Sequence, residues 1–596
     1  MANMRILLLE EHKSTQELLL HGLTKIGHSV EVVDNGHQGF LEATAKSYDV
    51  IISDISIPHW DGFKFIEAME VVRPQLPIIV VTPASTDPSL VQRLHAYNSI
   101  VRVLSKPVDI DTIIETLAPL HSQKNSRLNK MARIVATIGP ASSSEKIIGQ
   151  MILAGMDVAR LNFSHGSYTE HEKALTAIRK AEELWEKPVA VLVDLCGPKI
   201  RTGAMKDGSI ELKAEEVITI QADNILGTEE RFSTIVPEII GDLKKGDPIL
   251  LDDGLLELRV VRPGEEEVLC EIVTSGRLYS HKGMNLPETR LSLPSVTEKD
   301  WQDLEWALAH QVDYVALSFV RSAREILDIK HYISVSDKPE LRVVAKIEKP
   351  EAIRNLNDII EASDAVMIAR GDMGVELPAA RVPRMQQKII DLCWRRNTPV
   401  ITATQMLDSM TTRSRPTRAE VTDVSVAIQE GTDAVMLSQE TATGYDPVNV
   451  VRTMASIICE EESHAKLSMS HFQQLARETG VNPVLTAAAA LNTTRATILF
   501  DFQGTLYPTL SKWNRKVTSI LITGSVQIAR HASLYKNIVP LLIDPQLKRS
   551  ELLGRALECA RLGGYVQSGD IVAVIEGEYT NERNIKQIGT LQLIKA

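Results

Sequence analysis

Charged and hydroxylic residues recur at the ends of apolar runs between residues 158 and 440. Arg160 and Asn162 close one run, and Asp194, Lys199 and Arg201 follow the next. Lys346 with Glu348, Arg370 with Gly371 and Asp372, Thr404 with Gln405, and Ser438 with Glu440 close four more. Guanidinium forks suit phosphate oxygens, which they grip bidentately. Two carboxylates from neighbouring runs, Glu348 and Asp372, suit Mg²⁺, which takes one or two carboxylates and completes its shell with substrate oxygens. A lysine beside such a metal neutralises charge on a transferring phosphoryl group. One charge at a strand end is ordinary surface; a whole series aimed at phosphate and metal chemistry is a site.

The runs that must position these groups are RIVATIGPAS, DVARLNFSHG, VAVLVDLCGPKIR, YVALSFVRS, RVVAKIEKP, AVMIARGDMG, PVITATQMLD and AVMLSQETA. Eight strand–helix units close a (β/α)₈ barrel, whose strand ends share the catalytic face. The barrel is expected over 132–202 and 289–459, interrupted at 203–288 by an inserted β-barrel lid domain. That insertion is rich in Gly, Asp and Val, with turn signals DDG (252–254) and RPG (262–264). An α/β regulatory domain follows over 460–596. Upstream, residues 1–120 hold five short β-branched runs separated by amphipathic segments, the pattern of a doubly wound parallel sheet. Residues 121–131 are polar and basic and read as an exposed linker.

The chain has 596 residues, 44% hydrophobic and 24% charged, the composition of ordinary globular protein. Its formal net charge of −12 argues against a nucleic-acid partner held by a basic footprint. Five scattered cysteines without a CxxC pair read as free thiols in a reducing compartment. No apolar stretch reaches the ~18 residues that suggest a membrane span, and MANMRILLLEEHKS is not a signal peptide. A soluble, cytoplasmic protein with no membrane partner is expected.

RLNFSHG (160–166), GPKIR (197–201), KGMNLP (282–287), KIEKPEA (346–352), ARGDMGVE (369–376), ITATQMLDSM (401–410), RPTRAE (415–420) and DAVMLSQETA (433–442) resemble the successive motifs of the pyruvate kinase family. The resemblance covers roughly 132–596 and implies phosphoryl transfer from phosphoenolpyruvate to ADP. It implies that Arg160 and Lys346 grip the phosphoryl group, with Lys346 the main electrostatic stabiliser. Glu348 and Asp372 then hold Mg²⁺, with Mn²⁺ as a substitute, and Gly371 with Thr404 anchors the substrate carboxylate. Protonation of the enolate runs through water near Thr404 and Ser438. Asn162, Phe163, Ser164, His165, Arg201 and Lys282 face the nucleotide, Lys282 arriving on the closing lid. The family is commonly tetrameric, so a homo-oligomer is implied. Two rival readings are an inactive partner-binding scaffold and another phosphoenolpyruvate-using barrel such as a mutase or aldolase. The intact catalytic set argues against the first, and the lid with Lys282 against the second.

The chain also departs from the family pattern. Many members carry a glutamate where Lys199 stands, in a potassium-dependent form whose K⁺ lies among oxygens matching Asn162, Ser164, Asp194 and Leu195. The Lys199 ammonium supplies that positive charge itself, so the resemblance is to the form that needs no K⁺. Lys349 and Gln439 replace residues more frequent in the family, and Cys196 stands where lysine is common. In the C-terminal part, FDFQGTLYP (500–508) sets Asp501 where an effector phosphate is often held, which disfavours sugar-phosphate activation.

Residues 1–120 resemble a response-regulator receiver domain, implying a phosphorelay partner such as a histidine kinase. Asp54 matches the phosphoacceptor, Thr82 the switch hydroxyl, Lys106 the phosphate-binding lysine and Glu10–Glu11 the acidic pair for Mg²⁺. Glu11 stands where aspartate is usual and Val103 where the switch is aromatic, so a docking module without phosphorylation is the alternative.

Overall fold

Valine- and isoleucine-rich runs become buried parallel strands in each α/β part of the chain, because helices cover both faces of such sheets. The computed structural model describes residues 4–595 apart from 84–92, 125–129, 465–493, 514–516, 581–585 and positions 47, 59, 74–75, 95–96, 98, 186, 288, 337, 339, 545–546, 548, 563–564 and 567–568.

The receiver sheet comprises β1 (Arg5–Leu9), β2 (Ser29–Val33), β3 (Val50–Asp54), β4 (Ile78–Pro83) and β5 (Ile100–Lys106) in the order β2-β1-β3-β4-β5. All its pairings are parallel. Asp54, Thr82 and Lys106 therefore share the carboxyl edge of the sheet, where such folds bind ligands.

The catalytic body opens with β6 (Arg133–Thr137), β7 (Val158–Asn162) and β8 (Ala190–Asp194). The lid then inserts β9 (Ser209–Leu212), β10 (Val217–Gln221), β11 (Arg231–Ser233), β12 (Pro248–Leu251), β13 (Leu256–Arg262), β14 (Glu267–Ile272), β15 (Gly276–Tyr279) and β16 (Met284–Asn285). These form a six-stranded sheet and a two-stranded ribbon around their own apolar core. The barrel resumes with β17 (Tyr314–Leu317), β18 (Arg342–Ile347), β19 (Ala365–Ala369), β20 (Val400–Ala403) and β21 (Ala434–Leu437). It closes as eight parallel strands in the order β17-β18-β19-β20-β21-β6-β7-β8.

The C-terminal sheet contains β22 (Ala496–Phe500), β23 (Thr518–Thr523), β24 (Ile538–Leu542), β25 (Ile571–Thr580) and β26 (Lys586–Lys595), with β26 antiparallel at one edge. Val158, Leu192, Tyr314 and Met367 inside the barrel form one apolar cluster with Leu499, Tyr507, Tyr535 and Ile538 of this domain. The Tyr314 hydroxyl donates to the His531 carbonyl at 2.8 Å. The C-terminal domain thus closes the amino end of the barrel and leaves the carboxyl end for chemistry.

One expectation is corrected here. Residues 121–131 do not form an exposed linker throughout: the helix Ile110–Lys124 continues to Lys124, and Lys130 is buried. Arg127 lies outside the described residues. Lys130 pairs with Asp157, and the Met131 and Ala132 amides donate to the Glu462 carboxylate at 2.6 and 2.9 Å. Glu462 also pairs with Lys536 at 3.3 Å, and the Asn537 amide donates to the Met131 carbonyl at 2.8 Å. Arg133, also buried, donates to the Tyr535 carbonyl at 2.9 Å. Lys130 is thus spent on the barrel, and Arg133 joins the barrel to the C-terminal domain. A receiver–barrel contact sets the Arg73 guanidinium over the Trp185 ring, 5.1 Å from its centroid.

Candidate active site

The carboxyl ends of β7, β8 and β18 bring Arg160, Asp194 and Lys346 together. Arg160 Nε donates to Asp194 Oδ2 at 2.8 Å, and its Nη1 donates to Thr137 Oγ1 at 2.8 Å. Lys346 Nζ donates to Ser318 Oγ at 2.7 Å and stands 3.0 Å from Glu348 Oε1 and 3.3 Å from Asp194 Oδ1. Burial disfavours the Lys346 charge, but Asp194, Glu348 and Asp372 outweigh it and hold the ammonium well above the ordinary lysine range. Burial raises Asp194, yet Lys346 and Arg160 prevail and keep it ionised. Burial pushes Glu348 above the ordinary carboxylate range; Lys346 opposes this and Asp372 adds to it.

Glu348 Oε2 accepts the Phe319 amide at 2.9 Å, whereas Oε1 is buried and faces the Lys346 ammonium 3.0 Å away. A carboxylate oxygen beside one ammonium keeps lone pairs that a metal cation can use. Among the described residues no three His, Cys, Asp or Glu side chains converge as a metal-binding group. Glu348 and Asp372 offer carboxylate oxygens, the donors that Mg²⁺ combines with water and substrate oxygens.

Asp372 and Gly371 lie in the first turn of the helix Arg370–Glu376, directly after β19. The Gly371 amide donates to Thr404 Oγ1 at 2.8 Å. A Cβ at Gly371 would come into ordinary van der Waals contact with the Thr404 side chain, at 3.5–3.9 Å. Thr404 and Gln405 both have positive φ, 68° and 55°, strain of the kind that concentrates at functional sites. Arg370 clasps this strained loop. Its Nη2 donates to the Thr404 carbonyl at 2.9 Å, its Nε to the Ala403 carbonyl at 3.2 Å, and its Nη1 to Asp423 at 2.7 Å. Glu440 Oε2 accepts the Ser438 amide at 2.6 Å and its Oε1 the Leu407 amide at 3.2 Å, tying the ends of β20 and β21 together.

In the loop after β7, Asn162 Oδ1 accepts the Ser164 amide at 3.2 Å. The Phe163 side chain is buried, stacked on His171 at 4.1 Å, so this residue offers the cleft its backbone only. Burial lowers the His165 pKa, and Lys199, Arg201 and Arg160 lower it further, which locates the exposed Lys199 ammonium beside this loop. The Leu195 carbonyl accepts the Ser318 hydroxyl at 2.7 Å. Arg201 donates to the His281 carbonyl at 2.9 Å, and Lys282 pairs with Asp252 at 2.8 Å within the lid. Lys282 is thus held by the lid and is not brought to Lys346.

In the C-terminal loop, Asp501 turns its carboxylate onto the amides that follow it. Oδ1 accepts from Gly504 at 2.8 Å and Thr505 at 3.1 Å, and Oδ2 from Leu506 at 2.8 Å and Tyr507 at 3.0 Å.

In the receiver, Lys106 Nζ stands 2.6 Å from Asp54 Oδ2 and 2.9 Å from Glu10 Oε2. Glu10 is buried beside Asp54, while Glu11 is exposed, so one member of the acidic pair faces the site. The Thr82 hydroxyl donates to the Leu104 carbonyl at 3.4 Å.

Ser318, Arg370 and the pair Lys349–Glu376 make contacts at the rim that the sequence did not single out. Their partners lie 16 to 123 residues away, so no local spacing announces them.

A family model described as the pyruvate kinase barrel domain matches residues 129–451, and one for the response regulator receiver domain matches 6–118. The curated pyruvate kinase of Staphylococcus saprophyticus is 40% identical over 472 residues, 78% of this chain and 80% of that protein. A pyruvate kinase of Staphylococcus aureus is 41% identical over the same shares. The crystal structure of a pyruvate kinase from Cryptosporidium parvum superposes with a TM-score of 0.72 at 30% identity, covering 78% of this chain and 96% of that one.

Proposed function

We propose a division of labour at the barrel rim that proceeds from one premise: the chain belongs to the pyruvate kinase family and carries a receiver domain in front. The reaction moves the phosphoryl group of phosphoenolpyruvate to ADP and yields pyruvate and ATP. Arg160, fixed from behind by Asp194, grips the phosphoryl oxygens with its remaining N–H groups. The Lys346 ammonium stabilises the charge on those oxygens during transfer. Glu348 and Asp372 are the residues that would hold Mg²⁺, which when bound supplies Lewis-acid stabilisation of phosphoryl and enolate oxygens. Gly371 and Thr404 orient the substrate carboxylate, and Thr404 with Ser438 borders the water that protonates the enolate.

Asn162 to His165 and Arg201 meet the nucleotide phosphates. Lys282 joins them when a phosphate outcompetes Asp252 for its ammonium and the lid closes, excluding water. Lys199 serves in place of K⁺. What supports this is Lys199 itself, an exposed ammonium following β8 whose charge, with burial the larger cause, lowers the pKa of His165 in the neighbouring loop. Phosphoenolpyruvate and ADP are the partners in chemistry, in a homo-oligomer, with a histidine kinase or other docking partner at the receiver. No helix among the described residues is long and apolar enough to cross a membrane.

The carrying observation is the convergence of Lys346, Glu348 and Asp194 on one buried point. A coupled assay for pyruvate from phosphoenolpyruvate and ADP tests it; absence of pyruvate formation by folded protein with Mg²⁺ would end the reading. For the receiver, the exposed Glu11 favours action by presence over efficient phosphorylation at Asp54.

A further inference from the structure

Lys349 takes no part in the scheme above, yet its side chain is only 11% exposed and its Nζ stands 2.5 Å from Glu376 Oε1. The same oxygen accepts from Asn285 Nδ2 at 3.0 Å. Three elements meet at this one carboxylate. Lys349 follows β18, which carries Lys346 and leads directly into Glu348. Glu376 ends the helix whose first turn carries Asp372. Asn285 ends β16, the last strand of the lid. Lys349, Asn285 and Asp372 line the cleft between barrel and lid.

A buried ion pair is weak support for stability, because desolvation offsets the attraction; fixed geometry is the use it can serve. Here a geometry needs fixing. Glu348 and Asp372 are like charges on two separate elements, and until a metal arrives they repel. The amide of Phe319 restrains Glu348 from one side, and Thr404 restrains the start of the Asp372 helix. The Lys349–Glu376 pair ties the two elements directly to each other.

We propose that Lys349 is a positioning residue: its pair with Glu376 sets the spacing of the Glu348 and Asp372 carboxylates before the metal binds, and Asn285 couples that pair to the lid. The proposal rests on the reading of Glu348 and Asp372 as the metal pair.

The test is Mn²⁺ binding to the full chain without substrates, followed by electron paramagnetic resonance, beside steady-state kinetics and thermal melting. Glu348→Gln examines the underlying reading alone; unchanged Mn²⁺ affinity in that variant defeats the metal pair, whatever Lys349 does. Lys349→Met is expected to weaken Mn²⁺ binding by about 10–100-fold, the usual effect of removing a group that orients a metal ligand. Lys349→Arg is expected to restore most of that affinity. Asn285→Ala is expected to raise KM for ADP while Mn²⁺ affinity stays within about twofold of wild type, a change smaller than that range. Unchanged ADP kinetics in Asn285→Ala would remove the coupling to the lid. Because Lys349→Met strands a buried carboxylate, Lys349→Met/Glu376→Met removes both charges and tolerates folding. A double variant that melts like wild type and still binds Mn²⁺ weakly supports the proposal. Wild-type Mn²⁺ affinity in either methionine variant overturns it.

Discussion

The Lys346 ammonium lies among Asp194, Glu348 and Asp372 and is held charged far into the alkaline range. In the proposed assignment its contribution to the reaction is a permanent positive charge, set where phosphoryl charge would develop. Lys346→Met is expected to lower kcat by ~10²–10³, as removal of one preorganised stabiliser does. Metal binding should persist, because the variant leaves both carboxylates in place. Rapid-quench turnover beside metal and phosphoenolpyruvate titrations checks this; near-normal kcat in folded protein removes the assignment. Lys199 carries a separate expectation. Activity in potassium-free buffer should be unchanged by KCl at constant ionic strength, and Lys199→Glu should introduce a partial K⁺ requirement. At this scale the strand-end residues were legible because their chemistry is tied to short motifs. Arg370 was misleading: it stands in such a motif, but its guanidinium is aimed by contacts with Ala403, Thr404 and Asp423, which only the folded chain reveals.

Elements were legible wherever apolar period and turn chemistry agreed, as in the parallel strands of the receiver and barrel. The seam under the barrel was not, since it is made by side chains from both bodies. His531, near the end of the helix Val526–Ala532, is buried there against Tyr314, with ring centroids 5.4 Å apart. Burial, with Arg342 and Arg530 adding, pushes its imidazole down to about 2, against the opposing pull of a backbone hydrogen bond. The unfolded chain binds a proton at this residue below about pH 6.5, and the folded chain does not. The contribution of His531 to stability is therefore present above that pH and lost as pH falls below it, by up to about 1.4 kcal/mol per pH unit. Melting at pH 7 and pH 5 should show the loss, and His531→Gln should flatten it. An equal slope in that variant would assign the acid sensitivity elsewhere.

At the scale of the whole molecule, the receiver enters the kinase through residues 130–133, which hold the barrel and C-terminal domain at once. Its presence is expected to change KM, kcat or oligomeric state, with acetyl phosphate adding little. Three proteins decide this: the full chain, a chain beginning at Met131, and Asp54→Asn. A fourth, beginning after Leu128, retains Lys130 and separates loss of the receiver from loss of the Lys130–Asp157 pair. Unchanged kinetics and assembly in both truncations would make the receiver a docking module. A strong acetyl phosphate response in wild type, absent from Asp54→Asn, would make it a phosphorylation switch. At the other end of the chain, Asp501 has a different significance. Its carboxylate is covalently attached to the loop whose four amides it occupies. A tethered group faces its site at an effective concentration that is fixed by chain geometry and does not fall when a metabolite pool empties. A sugar phosphate from solution would have to expel an anion that cannot diffuse away, so this loop is saturated from the moment it folds.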